Sequence, residues 1–238
     1  MTVITADLGG TKIAAAVVDA DGRIESRRSV PTPAGEGPEA LLDALAGLIR
    51  SLITADLREQ LAGVAVASAG VIDLETGVVT SATDILTGWS GTPVAAELRD
   101  RLSLPVVVLN DVQAHALGEA RRGAGAGYGS MLLVAAGTGL GGGFVTGGTI
   151  VTGEHHAAGH LGHVPCAEAV GLICSCGVAG HLECIASGDG LVKAAQHRYV
   201  TAAAISRAAD QGDTFARNLL ASSGEALGRA IGGWANLL

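Results

Sequence analysis

Along the first half of the chain the apolar residues change period. Val3-Ile4-Thr5-Ala6-Asp7 and residues 12–18 are short apolar runs, and with residues 23–30 they predict three strands. Asp19-Ala20-Asp21-Gly22 predicts the hairpin turn between the second and third. From Glu39 the period lengthens. Leu41, Leu42, Leu45, Leu48, Ile49, Leu52 and Ile53 recur at helical spacing and predict one amphipathic helix. Residues 63–67 read as a buried strand ending at Ser68-Ala69-Gly70, and residues 78–81 as a shorter one. Pro93 suits the first turn of a helix running to about residue 102. Residues 105–109 form a strand that ends at Asn110-Asp111, and a helix follows to about residue 122.

The second half reads as a strand over residues 130–136, a glycine-rich loop over 137–143 and more strand to about residue 145. Residues 155–184 are irregular and rich in Gly, His and Cys. Helices are expected near residues 189–197, near 202–210 and from 213 to the end. Alternating strands and helices predict an α/β protein. Two glycine turns, each after a strand, suggest two related lobes, divided here as residues 1–115 and 116–238.

Composition sharpens this picture. Glycine supplies 36 of 238 residues, about 15% against a usual ~7%. No Gly-X-Y period runs through the chain, so the excess must serve tight turns or close approach of the backbone to another group. The net charge is −8 and the basic residues are scattered, which excludes a nucleic-acid-binding stripe. Mean hydropathy is +0.42, and residues 123–153 carry no charged side chain. Seven glycines between Gly137 and Gly148 deny that stretch helical continuity, so no membrane span is expected. Asp7 interrupts the first apolar stretch and no cationic region precedes it, so no signal peptide and a cytoplasmic location are expected. The four cysteines, Cys166, Cys174, Cys176 and Cys184, cluster in one short stretch. Without a secretion signal that pattern favours a metal over disulfides.

Four constellations carry chemistry. Asp7-Leu8-Gly9-Gly10-Thr11-Lys12 places glycines after a strand, where backbone N–H groups reach phosphate oxygens and Thr11 and Lys12 add donors. It lacks P-loop spacing. Asp7 is placed to orient a hydrated Mg²⁺, and the alternative is an ordinary hairpin turn. Gly137-Thr138-Gly139-Leu140-Gly141-Gly142-Gly143 has more glycine than one turn requires, which suits the β- and γ-phosphates of a nucleotide; a tight strand crossing is the alternative. Asp111, at a strand end, projects toward a cleft and suits a base for a substrate hydroxyl, or else it only caps the following helix. His163, Cys174, Cys176 and His181 make a tetrahedral Zn²⁺ set, with Cys184 a rival fourth ligand and Cys166 a poor one.

Taken together these motifs resemble the ROK family of sugar kinases and related repressors, from residue 2 to the last residue. The resemblance rests on Asp7-x-Gly-Gly-Thr-Lys12, Asn110-Asp111-x-Gln113-Ala114, the Gly137–Gly143 stretch, and Gly159-His160-Leu161-Gly162-His163 followed by Cys174-x-Cys176-Gly177-x-x-Gly180-His181-x-Glu183. It implies the actin-like ATPase (ribonuclease H-like) two-lobed fold, with sugar and Mg·ATP bound between the lobes, a structural Zn²⁺ and a homodimer. It implies Asp111 as general base on the sugar 6-hydroxyl. It implies Gly70, Thr83, Asn110, His160, His163 and Glu183 as sugar ligands, with Asp7, Gly9, Gly10, Thr11, Lys12, Gly137, Thr138, Gly139, Gly141 and Gly142 around the nucleotide. Where the family's glucokinases carry Glu, this chain has His160, as does the branch that phosphorylates N-acetylmannosamine. His181 stands where the family usually has a third cysteine. The family's repressors place a helix-turn-helix domain before the first glycine turn, and here that turn begins by residue 7. The last helix meets the end of the chain where the family continues with a strand, a glycine pair near the adenine and closing helices, so the C-terminal part of the fold is expected to be missing.

Overall fold

The computed structural model describes residues 2–238, which divide into two compact units. Unit one comprises Met1–Gly118 with Thr152–Ala157, and unit two Glu119–Val151 with Ala158–Leu238.

The first unit is a five-stranded sheet in the order β3-β2-β1-β4-β7. Strands β1 (Thr2–Leu8), β2 (Lys12–Val18) and β3 (Ile24–Pro31) form an antiparallel meander, and β4 (Leu61–Ser68) and β7 (Val106–Asn110) run parallel to β1. The parallel pairs need crossovers, and helices α1 (Pro38–Leu52) and α3 (Val94–Leu102) lie in them. Pro38 occupies the first turn of α1, where its missing N–H is no loss. The apolar stripe of α1 packs with Leu98 of α3, Ile4 and Leu8 of β1, and Val64 and Val66 of β4 in one core. Burying each such Leu or Ile is worth roughly 1.5–3 kcal/mol. Trp89, fully buried there, donates its indole N–H to the Ser68 hydroxyl at 2.9 Å, which keeps its polar end satisfied.

Helix α2 (Ala55–Gln60) escapes a periodicity reading because it buries no residue; Thr54 caps it by accepting from the Leu57 N–H. Strands β5 (Val71–Ile72) and β6 (Val79–Ser81) make a small antiparallel pair. Helix α4 (Asp111–Arg122) starts at the residue after β7 and carries the chain into the second unit. Thr152–Ala157 belongs to the first unit although its flanking residues belong to the second. There His156 Nε2 lies 3.5 Å from Asp73 Oδ1, in a turn that Asp73 closes by accepting from the Glu75 N–H and the Thr76 hydroxyl.

The second unit holds a three-stranded antiparallel sheet, β10-β9-β8, of β8 (Ser130–Ala136), β9 (Leu140–Thr146) and β10 (Thr149–Val151). Short helices α5 (Glu183–Ala186) and α6 (Gly188–Ala194) are followed by α7 (Ala202–Asp210) and α8 (Thr214–Ala235). The α6 helix stops short of the expected residue 197, because Gln196 and His197 adopt left-handed φ of 49° and 67°. Helix α8 ends at Ala235 rather than at the chain end, and Asn236 caps it through its backbone N–H. No helix among the described residues is long and apolar enough to cross a membrane.

Candidate functional site

In the first unit the β1–β2 connection is a tight turn. Leu8 pairs with Ile13, so Gly9, Gly10, Thr11 and Lys12 make the whole bend. The Gly9 N–H donates to the Lys12 carbonyl at 3.2 Å, and the Thr32 hydroxyl donates to the Gly9 carbonyl at 2.6 Å, which holds the turn from behind. A Cβ on Gly10 would come within 2.6 Å of the Ile85 side chain. Asp7 is at the outgoing end of β1. Burial lifts its carboxyl above the usual aspartate value, against the pull of Lys12 and Arg27.

The strand-helix junction at β7 resolves what Asp111 and Asn110 each do for the backbone. Asn110 is the cap: its Oδ1 accepts from the N–H groups of Val112 and Gln113 at 3.0 and 3.1 Å. Its Nδ2 donates to the Gly70 carbonyl at 2.9 Å. Gly70 has φ +103°, and a Cβ there would sit 2.7 Å from the Ser81 carbonyl, so only glycine fits. Asp111 Oδ1 accepts from the Val112 N–H at 2.8 Å. The helix therefore does not depend on Asp111 for its cap. Thr83 is half-buried in the segment after β6.

In the second unit Ala136 pairs with Leu140, so Gly137, Thr138 and Gly139 form a three-residue turn. The N–H groups of Gly188 and Asp189, at the start of α6, donate to the carbonyls of Gly137 and Thr138 at 2.8 and 3.1 Å. A Cβ on Gly137 would meet nothing within 4 Å, whereas on Gly142 it would lie 2.3 Å from Leu161 Cδ1 and 2.6 Å from the Leu133 carbonyl. Gly141 and Gly142 belong to β9, paired with Ala135 and Val134. The glycine-rich stretch is thus part turn and part strand, and Gly142 makes room for a packed leucine.

The cysteine-histidine segment folds into a knuckle. Isolated bridges join Pro165 to His181 and Ile173 to Ala179, and the Cys174 N–H donates to the Val178 carbonyl at 2.9 Å. Gly177, at φ +85°, provides the left-handed residue that closes this turn. Among the described residues, His163, Cys174, Cys176 and His181 place their ligand atoms within 4.8 Å of one another. Cys174 Sγ lies 3.5 Å from His163 Nδ1, and Cys176 Sγ 3.3 Å from His181 Nδ1. Tetrahedral Zn²⁺ with two S and two N ligands requires S···N separations of about 3.5 Å, so the donors present fit that ion. Burial pushes the Cys174 thiol up to about 11, and a bound cation is what would make it a thiolate. Cys184 is outside the group, its Sγ on the Leu172 carbonyl at 3.8 Å, and Cys166 faces Glu168 at 3.1 Å.

Glu183 opens α5 two residues after His181. Its Oε2 accepts the Leu140 N–H at 2.9 Å and its Oε1 the Ser175 hydroxyl at 2.7 Å. Burial raises its pKa, but these bonds and the nearby His163 outweigh that and hold the carboxyl below the ordinary glutamate value. The His160 ring stacks at 6.4 Å from that of His163. Sequence reasoning did not single out Ser175 or the Leu140 N–H; neither residue type signals a contact made 8 and 43 residues away.

Solved structures of sugar kinases of the actin-like ATPase fold superpose on the whole chain, which places it in that class. Within that class the chain belongs to the ROK family, whose model matches residues 3–238. The N-acetylmannosamine kinase of Shigella boydii is 40% identical over 233 residues, 97% of this chain and 77% of that protein. A ROK hexokinase from Thermus thermophilus superposes with a TM-score of 0.85 at 32% identity, covering all of this chain and 78% of the other. A ROK family glucokinase from Streptomyces griseus, solved in complex with glucose and AMPPNP, gives 0.83 at 33% identity, with 100% and 80% covered.

Proposed function

We propose that this chain transfers the γ-phosphoryl group of ATP to the 6-hydroxyl of N-acetyl-D-mannosamine. The observation that carries the reading is His160 beside His163, in a chain 40% identical to proteins named N-acetylmannosamine kinase. An imidazole both donates and accepts, where a carboxylate only accepts, so the two select different groups on the sugar.

Asp111 takes the proton of the 6-hydroxyl as the O6–P bond forms and the bond from phosphorus to the ADP oxygen breaks. A carboxylate is a weak base at neutral pH, which suffices when the proton leaves late in a loose transition state. Asn110 and Gly70, joined by a hydrogen bond, fix where Asp111 stands, and such positioning carries much of the rate. Gly70, Thr83, Asn110, His160, His163 and Glu183 hold the sugar. The Gly9–Lys12 and Gly137–Gly139 turns would offer backbone donors to the phosphates, and Asp7 would help hold the Mg²⁺ that accompanies the nucleotide. When bound, that Mg²⁺ would supply charge neutralisation at the phosphates. His163, Cys174, Cys176 and His181 would hold a structural Zn²⁺, whose bonds would cross-link the knuckle.

The test is kcat/KM for ATP-dependent phosphorylation of N-acetylmannosamine and of glucose, side by side. At least a tenfold preference for the N-acylated sugar is expected, about 1.4 kcal/mol of differential transition-state binding. A preference for glucose would favour the glucokinase reading, which the likeness to the Streptomyces griseus enzyme supports.

A further inference from the structure

Ser175 lies between two of the four candidate metal ligands and is exposed, so packing does not call for a hydroxyl there. Its hydroxyl donates to Glu183 Oε1 at 2.7 Å, and the Cys174 sulfur lies 3.8 Å from the same Oγ. The other Glu183 oxygen accepts the Leu140 N–H at 2.9 Å, the first residue of β9 after the Gly137–Gly139 turn. That oxygen also fills the space beside Gly139, where a Cβ would stand 2.8 Å from it. One carboxylate therefore spans from the metal knuckle to the glycine turn, with one oxygen on each.

We propose that Ser175 is a positioning residue: it clamps the Glu183 carboxylate at the knuckle so that the opposite oxygen stays on Leu140, holding Glu183 in the orientation that receives the sugar. The proposal rests on the reading of Glu183 as a sugar ligand. A carboxylate attached at one end can turn about its terminal torsion, which is broad and roughly two-fold. Bonds at both ends remove that freedom before substrate arrives, and preorganisation of this kind lowers the cost of binding. Ser175 is suited to the task because its backbone is fixed on both sides by metal ligands.

The experiment compares the zinc-loaded 238-residue chain with its Ser175→Ala and Ser175→Thr variants. Zinc content by metal analysis, amide hydrogen exchange at Leu140, and KM and kcat for N-acetylmannosamine are measured on each. Ser175→Ala is expected to keep its zinc, to exchange the Leu140 amide several-fold faster, and to raise the sugar KM by about tenfold, the effect of losing one hydrogen bond to a charged group. Its kcat should change little, and Ser175→Thr, which retains the hydroxyl, should restore both readouts. Unchanged Leu140 exchange together with an unchanged sugar KM would overturn the proposal. If the wild-type chain phosphorylates no hexose or hexosamine, the substrate reading falls, and the Leu140 exchange comparison alone then decides the role of Ser175.

Discussion

At the β7–α4 junction two neighbouring residues of similar shape have separate duties. Asn110 is buried, caps α4 and ties it to Gly70, while Asp111 accepts from the Val112 N–H. The sequence left open whether Asp111 was a base or only a cap, because Asp and Asn suit an N-cap equally well. The structure gives the cap to Asn110. Asp111→Asn keeps the side-chain shape and an oxygen to accept the Val112 N–H, so the melting temperature should stay nearly unchanged. Turnover should fall by about 10²–10⁴-fold, the usual contribution of a positioned general base, with sugar binding retained. A coupled ADP-release assay, calorimetric sugar titration and a melting curve check the three parts; turnover near the wild-type rate would remove Asp111 from the chemistry.

Among the elements, the glycine-rich segment shows why composition is a blunt instrument. Residues 137–143 read as one loop, but only Gly137, Thr138 and Gly139 turn, and the rest is β9. A glycine that frees the backbone and one that accommodates Leu161 look identical in a sequence. The two are separable by substitution. Gly142→Ala forces its Cβ against Leu161 and the Leu133 carbonyl, and overpacking of that kind costs about 1–3 kcal/mol, visible as a lower melting temperature. Gly137→Ala meets no protein atom within 4 Å, so the fold should be unaffected. The KM for ATP should nonetheless rise severalfold, since the new methyl occupies the space a phosphate would approach. An unchanged KM for ATP would remove Gly137 from the nucleotide site. The short helix α2 was illegible for the opposite reason: it buries nothing, so no apolar period marks it.

Over the whole molecule the two units are stabilised differently. The first unit has one extensive aliphatic core running through β1, β4, β7, α1 and α3. The second has two small buried clusters, one around Leu140, Leu182, Ala186 and Ala226 and one around Ala195, Ile205, Ala209 and Ala216. A unit with little apolar burial commonly relies on a cross-link such as a metal. Removing zinc with a strong chelator should lower the thermal transition by several degrees. Hydrogen exchange should increase in residues 159–186 while the β1 and β4 amides stay protected. The absence of stoichiometric zinc after dialysis would reduce the knuckle to packing.

The sequence by itself determined the α/β class and most strand and helix positions of the first unit, because apolar period and turn chemistry are local, and its motifs carried the resemblance to the family. It also pointed to His163 and the Cys174-x-Cys176 pair as metal ligands, since Cys-x-Cys with a following glycine is a local turn, and left His181 and Cys184 as rivals for the fourth place. Tertiary structure alone decided that His181 and not Cys184 lies with the other three candidate donors, that Asn110 rather than Asp111 caps α4, and that Ser175 and Leu140 share the Glu183 carboxylate. The physical reason is the same in each case. These outcomes depend on angstrom-scale distances between segments remote along the chain, or on which of two equally suitable side chains points where, and neither is written in the spacing of residues.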